Sequence, residues 1–110
     1  MDNDLRLDVY CGDILEKMKY IEDESVDLIV TDPPYNLNKN YGNTHDTLEF
    51  AEYLEFSKQW LREADRVLKP TGTIYIFMGM RYISYIYNIL DSELKYHFNS
   101  WIVWYYTQGI

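Results

Sequence analysis

The chain has 110 residues, 47% of them apolar and 25% charged, the composition of one small folded domain rather than of a disordered or low-complexity segment. A single cysteine excludes an intrachain disulfide and a thiolate metal cluster, and no run approaches the roughly 18 to 20 uninterrupted apolar residues of a membrane helix. A net charge of −8 with scattered Lys and Arg argues against a surface that by itself neutralises the phosphates of a nucleic acid.

The acidic start, Met1-Asp2-Asn3-Asp4, does not read as a signal peptide, so a cytoplasmic protein is expected. Leu5 to Tyr10 alternates in part and predicts a first strand, closed by the turn Cys11-Gly12-Asp13, with Cys11 as a small buried hydrophobe. Asp13 then caps a helix. Glu16 stands at the capping-box position, and Ile14, Met18 and Ile21 are spaced for one buried face. Glu22 to Ser25 is a polar turn.

Val26 to Thr31 predicts a central buried strand, broken abruptly by Asp32-Pro33-Pro34-Tyr35, because proline neither donates to a ladder nor continues a helix. That loop holds out a short carboxylate and backbone carbonyls, two conformationally fixed residues and an aromatic face. The inventory suits a flat ring bearing an amino group, with acceptors for its N–H bonds and little entropy left to lose on binding. It is also what an ordinary strand end with a packing tyrosine would contain. Asn36 to Thr44 is rich in Asn and Gly, either a plain loop or one that closes over a bound ring.

Asp46 with Glu49 gives a second capping signal. Phe50, Leu54, Ser57, Leu61, Ala64 and Leu68, widened by Trp60 and Val67, form one face of a long helix that Lys69-Pro70-Thr71-Gly72 stops. Thr73 to Met78 predicts a strand. Arg81 to Lys95 predicts a helix with Ile83, Ile86, Leu90 and Leu94 on one face, and Asn99 to Tyr106 a strand rich in aromatics. This alternation implies a single α/β domain over residues 1–110, with about four strands in a parallel sheet, three helices and helices on both faces. His45 and His97 have no second histidine or cysteine at ligand spacing, so no metal site is assigned.

Gly12-Asp13, a short helix, the Val-Asp-Leu-Ile-Val-Thr strand and Asp32-Pro33-Pro34-Tyr35-Asn36 together resemble the amino-group (N6-adenine or N4-cytosine) DNA methyltransferases, in the subgroup whose Asp-Pro-Pro-Tyr motif precedes its glycine-rich motif. The resemblance runs from about Leu7 to Gln108. It implies a Rossmann-like, S-adenosylmethionine-dependent methyltransferase sheet, incomplete here, and methyl transfer to the amino group of a flipped adenine, since the family's use of Asp at the first motif position favours adenine N6. Asp32, Pro33, Pro34 and Tyr35 would be catalytic. Gly12, Asp13 and Asp32 would lie along the cofactor, and Tyr35, Asn36 and Trp104, taken ahead of Tyr105 and Tyr106, would wall the base pocket, although Asp13 is explained as a cap just as well and the three aromatics are more readily explained as packing residues.

The family's aromatic-x-Gly-x-Gly segment and target-recognition region are not found in the 110 residues, where the five glycines stand far apart. In the family pattern both follow this point of the chain. The expectation is therefore one half of an enzyme, working on DNA as a homo-oligomer or with a complement that carries the glycine-rich segment. Two alternatives stay open: related loops that methylate amino groups of RNA or protein, and a non-catalytic fragment or subunit that only assembles with a partner.

Overall fold

A computed structural model describes residues 4–36, 39–40, 45–46, 48–94 and 96–107, without the side chains of 39–40 and 45–46. Its elements run α1 (Ile14–Lys17) continued by a tighter turn Met18–Tyr20, β1 (Val26–Thr31), a short antiparallel pair β2 (Lys39–Asn40) and β3 (His45–Asp46), α2 (Phe50–Val67), β4 (Leu68–Ile76), and α3 (Ile83–Asn88), which widens into a π-helical turn Ile89–Glu93.

The centre is β1 paired parallel with β4, in register at Leu28–Thr73, Ile29–Ile74, Val30–Tyr75 and Thr31–Ile76. The helix stop predicted at Lys69-Pro70-Thr71-Gly72 falls inside β4. Val26 pairs with Leu68 but Leu28 already pairs with Thr73, so this Pro-Gly stretch bulges out of the ladder rather than preceding it. Gly72 sits at the tightest point, where a Cβ would come within 2.9 Å of the Asp27 carbonyl oxygen and 2.6 Å of Leu68 Cδ1.

All three helices cover one face of this sheet. Ile29 and Ile74 pack under Met18, Ala64 and Val67, and Ile76 and Met78 pack under Trp60, Leu61, Ile86 and Ile89. Arg66 pins the end of α1 to α2, donating to the Met18 and Ile21 carbonyls at 2.8 Å while pairing with Asp23 and Glu63. Hydrogen bonds to the two carboxylates raise its pKa further. The opposite face, expected to carry helices as well, is bare among the described residues: Leu28, Val30, Tyr75 and Phe77 are all exposed. β1 has no second neighbour among the described residues.

Several boundaries differ from the sequence expectation. Leu5–Tyr10 and Asn99–Tyr106 form no ladder, and Leu5, Leu7, Val9 and Trp101 to Tyr106 are exposed; β-propensity needs a neighbouring strand to act on, and no described strand pairs with either. Cys11 is exposed with them rather than buried. Asp13 caps α1, accepting from Leu15 N–H at 2.8 Å, but Glu16 turns to Lys19 instead of closing the capping box. On α1 the buried side is Met18 with Leu15 and Ile21 half-covered, and Ile14 is exposed because the helix tightens after one turn. α2 starts after Glu49, not at Asp46, and its buried face is Tyr53, Ser57, Trp60, Leu61, Ala64 and Val67, with Phe50 exposed. The helix expected over Arg81–Lys95 begins at Ile83, and Lys95 lies outside the described residues, as do residues 37, 38 and 41–44 of the Asn36–Thr44 segment.

Candidate functional site

A parallel sheet points the carboxyl ends of its strands to one edge, where α/β folds place their ligands. β1 ends there in Asp32. Pairing persists to the last possible residue, since Phe77 N–H donates to the Thr31 carbonyl at 3.0 Å, so the loop Asp32 to Asn36 leaves a fixed point. It is held from behind by two tyrosines. Tyr53, fourth residue of α2 and 1% exposed, donates its hydroxyl to the Pro34 carbonyl at 2.6 Å. Tyr82, 4% exposed with its ring 4.6 Å from that of Tyr53, is met by Asn36 Nδ2 at 3.2 Å.

Asn36 has φ of +58°, a left-handed conformation asparagine tolerates better than most residues. Its side chain is buried. Oδ1 accepts from Leu48 N–H and Nδ2 donates to the Leu48 carbonyl, each at 2.7 Å. The expectation that Asn36 walls a base pocket thus meets an amide engaged with Leu48 and Tyr82. The same clasp explains why α2 starts late: the backbone at Leu48 is tied to Asn36 before the helix begins.

The front of the loop is open. Asp32 is exposed, and Tyr35, half-buried, lays its ring beside Gly79 just past β4 and donates its hydroxyl to the Asp32 carboxylate. Among the described residues no donor reaches the Pro33 carbonyl, whereas that of Pro34 is taken by Tyr53. Trp104 is brought to this edge, its ring 6.1 Å from Phe77 in an edge-on contact and 74% exposed. Gly12 and Asp13 are not joined to the loop by any hydrogen bond or ion pair among the described residues; they form the turn before α1, where Gly12 has φ of +154° and a Cβ would strike the Lys17 side chain. No three His, Cys, Asp or Glu side chains gather as metal ligands among the described residues.

The arrangement offers a carboxylate and a carbonyl as hydrogen-bond acceptors in the same short loop as an aromatic ring, on torsions that proline has already restricted. Acceptors and a ring of this kind are the groups that can hold a planar molecule by its amino group and stabilise positive charge on its nitrogen. Tyr53 was not singled out from sequence. Its place four residues before Ser57 marks it as buried, but nothing local tells that its hydroxyl reaches a loop 19 residues earlier.

A family model described as DNA methylase matches residues 26–110. The Type II methyltransferase M.HpaI of Haemophilus parainfluenzae is 64% identical over 100 residues, covering 91% of this chain and 32% of that protein. The DNA adenine methyltransferase YhdJ of Escherichia coli (strain K12) is 35% identical over 98 residues, or 89% of this chain and 33% of its own length. Among solved structures, PvuII DNA methyltransferase (cytosine-N4-specific) superposes on 78% of this chain and 33% of its own with a TM-score of 0.62 at 23% identity, a likeness of fold. The chain spans about a third of the length of these relatives.

Proposed function

The chain belongs to the DNA methylase family, and from that membership we propose that it is the part of an S-adenosylmethionine-dependent DNA methyltransferase that captures the target base, an adenine methylated at N6. One observation carries the proposal. At the carboxyl end of β1 the exposed Asp32 carboxylate is met by the Tyr35 hydroxyl and the Pro34 carbonyl is occupied by Tyr53, while the Pro33 carbonyl has no hydrogen-bond donor among the described residues.

Adenine N6 is a poor nucleophile because its lone pair is delocalised into the ring. Two acceptors that hold its N–H bonds out of conjugation localise the pair and stabilise the charge that builds as the N–C bond forms; one such preorganised group is typically worth ~3 to 4 kcal/mol. Stacking on Tyr35 contributes roughly 1 to 3 kcal/mol for an extruded base. On binding, Tyr35 turns its hydroxyl away from Asp32, or the two oxygens of that carboxylate are shared between the hydroxyl and the amino group.

The cofactor supplies an electrophilic methyl group on a sulfonium. The residues here fit its adenine end: Asp13 spends Oδ1 on the α1 cap, and its exposed side chain retains Oδ2 to accept from an amino group. The methionine end needs the glycine-rich segment, which we assign to the remaining part of the enzyme or to a partner chain. With β1 lacking a second neighbour and one sheet face bare among the described residues, that complement has an edge and a surface to join. At net charge −8, phosphate contacts belong to it as well.

The test is methylation of duplex DNA by the assembled enzyme, the chain with its glycine-rich complement, followed by mass spectrometry of the nucleosides. N6-methyladenine is expected. N4-methylcytosine would move the reading to the family's other base, and label in neither would end it.

A further inference from the structure

We propose that Tyr53 is a positioning residue for amino-group methylation, acting by fixing a backbone torsion of the Asp32–Tyr35 loop, the ψ of Pro34, that no proline restricts. The inference rests on the function proposed above. Between Asp32 and Tyr35 the φ angles of Pro33 and Pro34 are locked by their rings, and the ψ angles of Asp32 and Pro33 are restricted because each precedes a proline. The ψ of Pro34 is not. That torsion turns the Pro34 carbonyl and, through the planar peptide that follows, swings Tyr35 relative to Asp32.

The Pro34 carbonyl is the group Tyr53 holds. The donor is well anchored: its N–H is bonded to the Glu49 carbonyl at 2.8 Å in the first turn of α2, and its ring is buried against Tyr82. Its hydroxyl also lies 3.5 Å from Met78 Sδ, past the end of β4. Helix, strand end and loop therefore meet at this oxygen. With its hydroxyl on the Pro34 carbonyl, Tyr53 works through the direction in which Tyr35 is presented relative to Asp32 and the Pro33 carbonyl. Loss of one neutral hydrogen bond that is fully effective only in the aligned loop corresponds to about tenfold in rate.

The experiment compares wild type with Tyr53→Phe, which keeps the buried ring, in the assembled enzyme. Single-turnover methyl transfer to duplex DNA, the KM for DNA, the Kd for cofactor and the Tm are measured, with rates read at equal distance below each Tm so that only folded protein is compared. A fall of about tenfold in the single-turnover rate, with cofactor Kd and KM within about twofold of wild type, is expected. A substitution that acts only on stability would lower Tm and leave the rate of the folded enzyme within twofold, which overturns the inference and spares the proposed function. A rate that falls only in step with the folded fraction does the same. A folded, assembled wild type that methylates no DNA overturns the function and this inference together.

Discussion

Asn36 and Leu48 are joined by two reciprocal hydrogen bonds, Leu48 N–H to Oδ1 and Nδ2 to the Leu48 carbonyl, each 2.7 Å long. A side-chain amide here does what a neighbouring strand would do, satisfying both backbone groups of one residue, and closes the chain on itself between the proline loop and α2. Replacing it leaves two partly buried backbone groups without partners, each costing about 1 to 3 kcal/mol. Asn36→Ala should therefore destabilise the chain by about 2 kcal/mol or more in urea denaturation. Asn36→Gly suits the positive φ but restores neither bond; a glycine variant as stable as wild type would show that the clasp contributes nothing.

Asp32→Ala removes the carboxylate acceptor while leaving both prolines and Tyr35. In the assembled enzyme methyl transfer should fall at least about a hundredfold, with cofactor affinity by titration calorimetry changed much less. A variant that retains wild-type turnover would remove the mechanism.

Gly72→Ala probes the bulge that lets β4 follow α2 without a connecting loop. The added methyl would press on the Asp27 carbonyl, part of the backbone of β1, as well as on the flexible Leu68 side chain. Overpacking of this kind costs about 1 to 3 kcal/mol. The expected result is a lower midpoint in chemical denaturation; an unchanged midpoint would show that the bulge gives way freely.

Tyr96 offers a pH dependence. Its phenol is pushed up to about 12, first by burial and then by the nearby Asp65 charge; the hydroxyl has no hydrogen-bond partner among the described residues, so burial and charge carry the shift. A pKa higher in the folded than in the unfolded chain means that the neutral form is favoured by folding. Its contribution is complete below about pH 10 and is lost as pH climbs toward 12. Tyr96→Phe cannot ionise and should shift the alkaline unfolding midpoint upward. A midpoint unmoved by the substitution would show that this phenol plays no part.

What could be read from the residues divides along physical lines. The β1–loop unit was legible because proline and β-branched residues act locally, and the long helix because its apolar stripe spans five turns. The stripe's exact centre was not: Phe50 and Tyr53 are both aromatic and three apart, and only the clasp at Leu48 and the reach of the Tyr53 hydroxyl decide which one is buried. Leu5–Tyr10 and Asn99–Tyr106 carry strand-like composition, yet pairing is a property of two segments and neither pairs with a described strand. In the candidate site, Asp32, Pro33 and Tyr35 can be singled out from sequence because the motif is contiguous. The support from Tyr53 and Tyr82 cannot, since both arrive from elements far along the chain.

Val30 and Tyr75 stand side by side in register on the face no described helix covers. A surface of that kind should light up an environment-sensitive dye and send the chain, when produced by itself, toward chaperones and inclusion bodies. If the complement proposed above covers this face, co-production with it should quench the dye and keep both in the supernatant, so that yield becomes a screen for it.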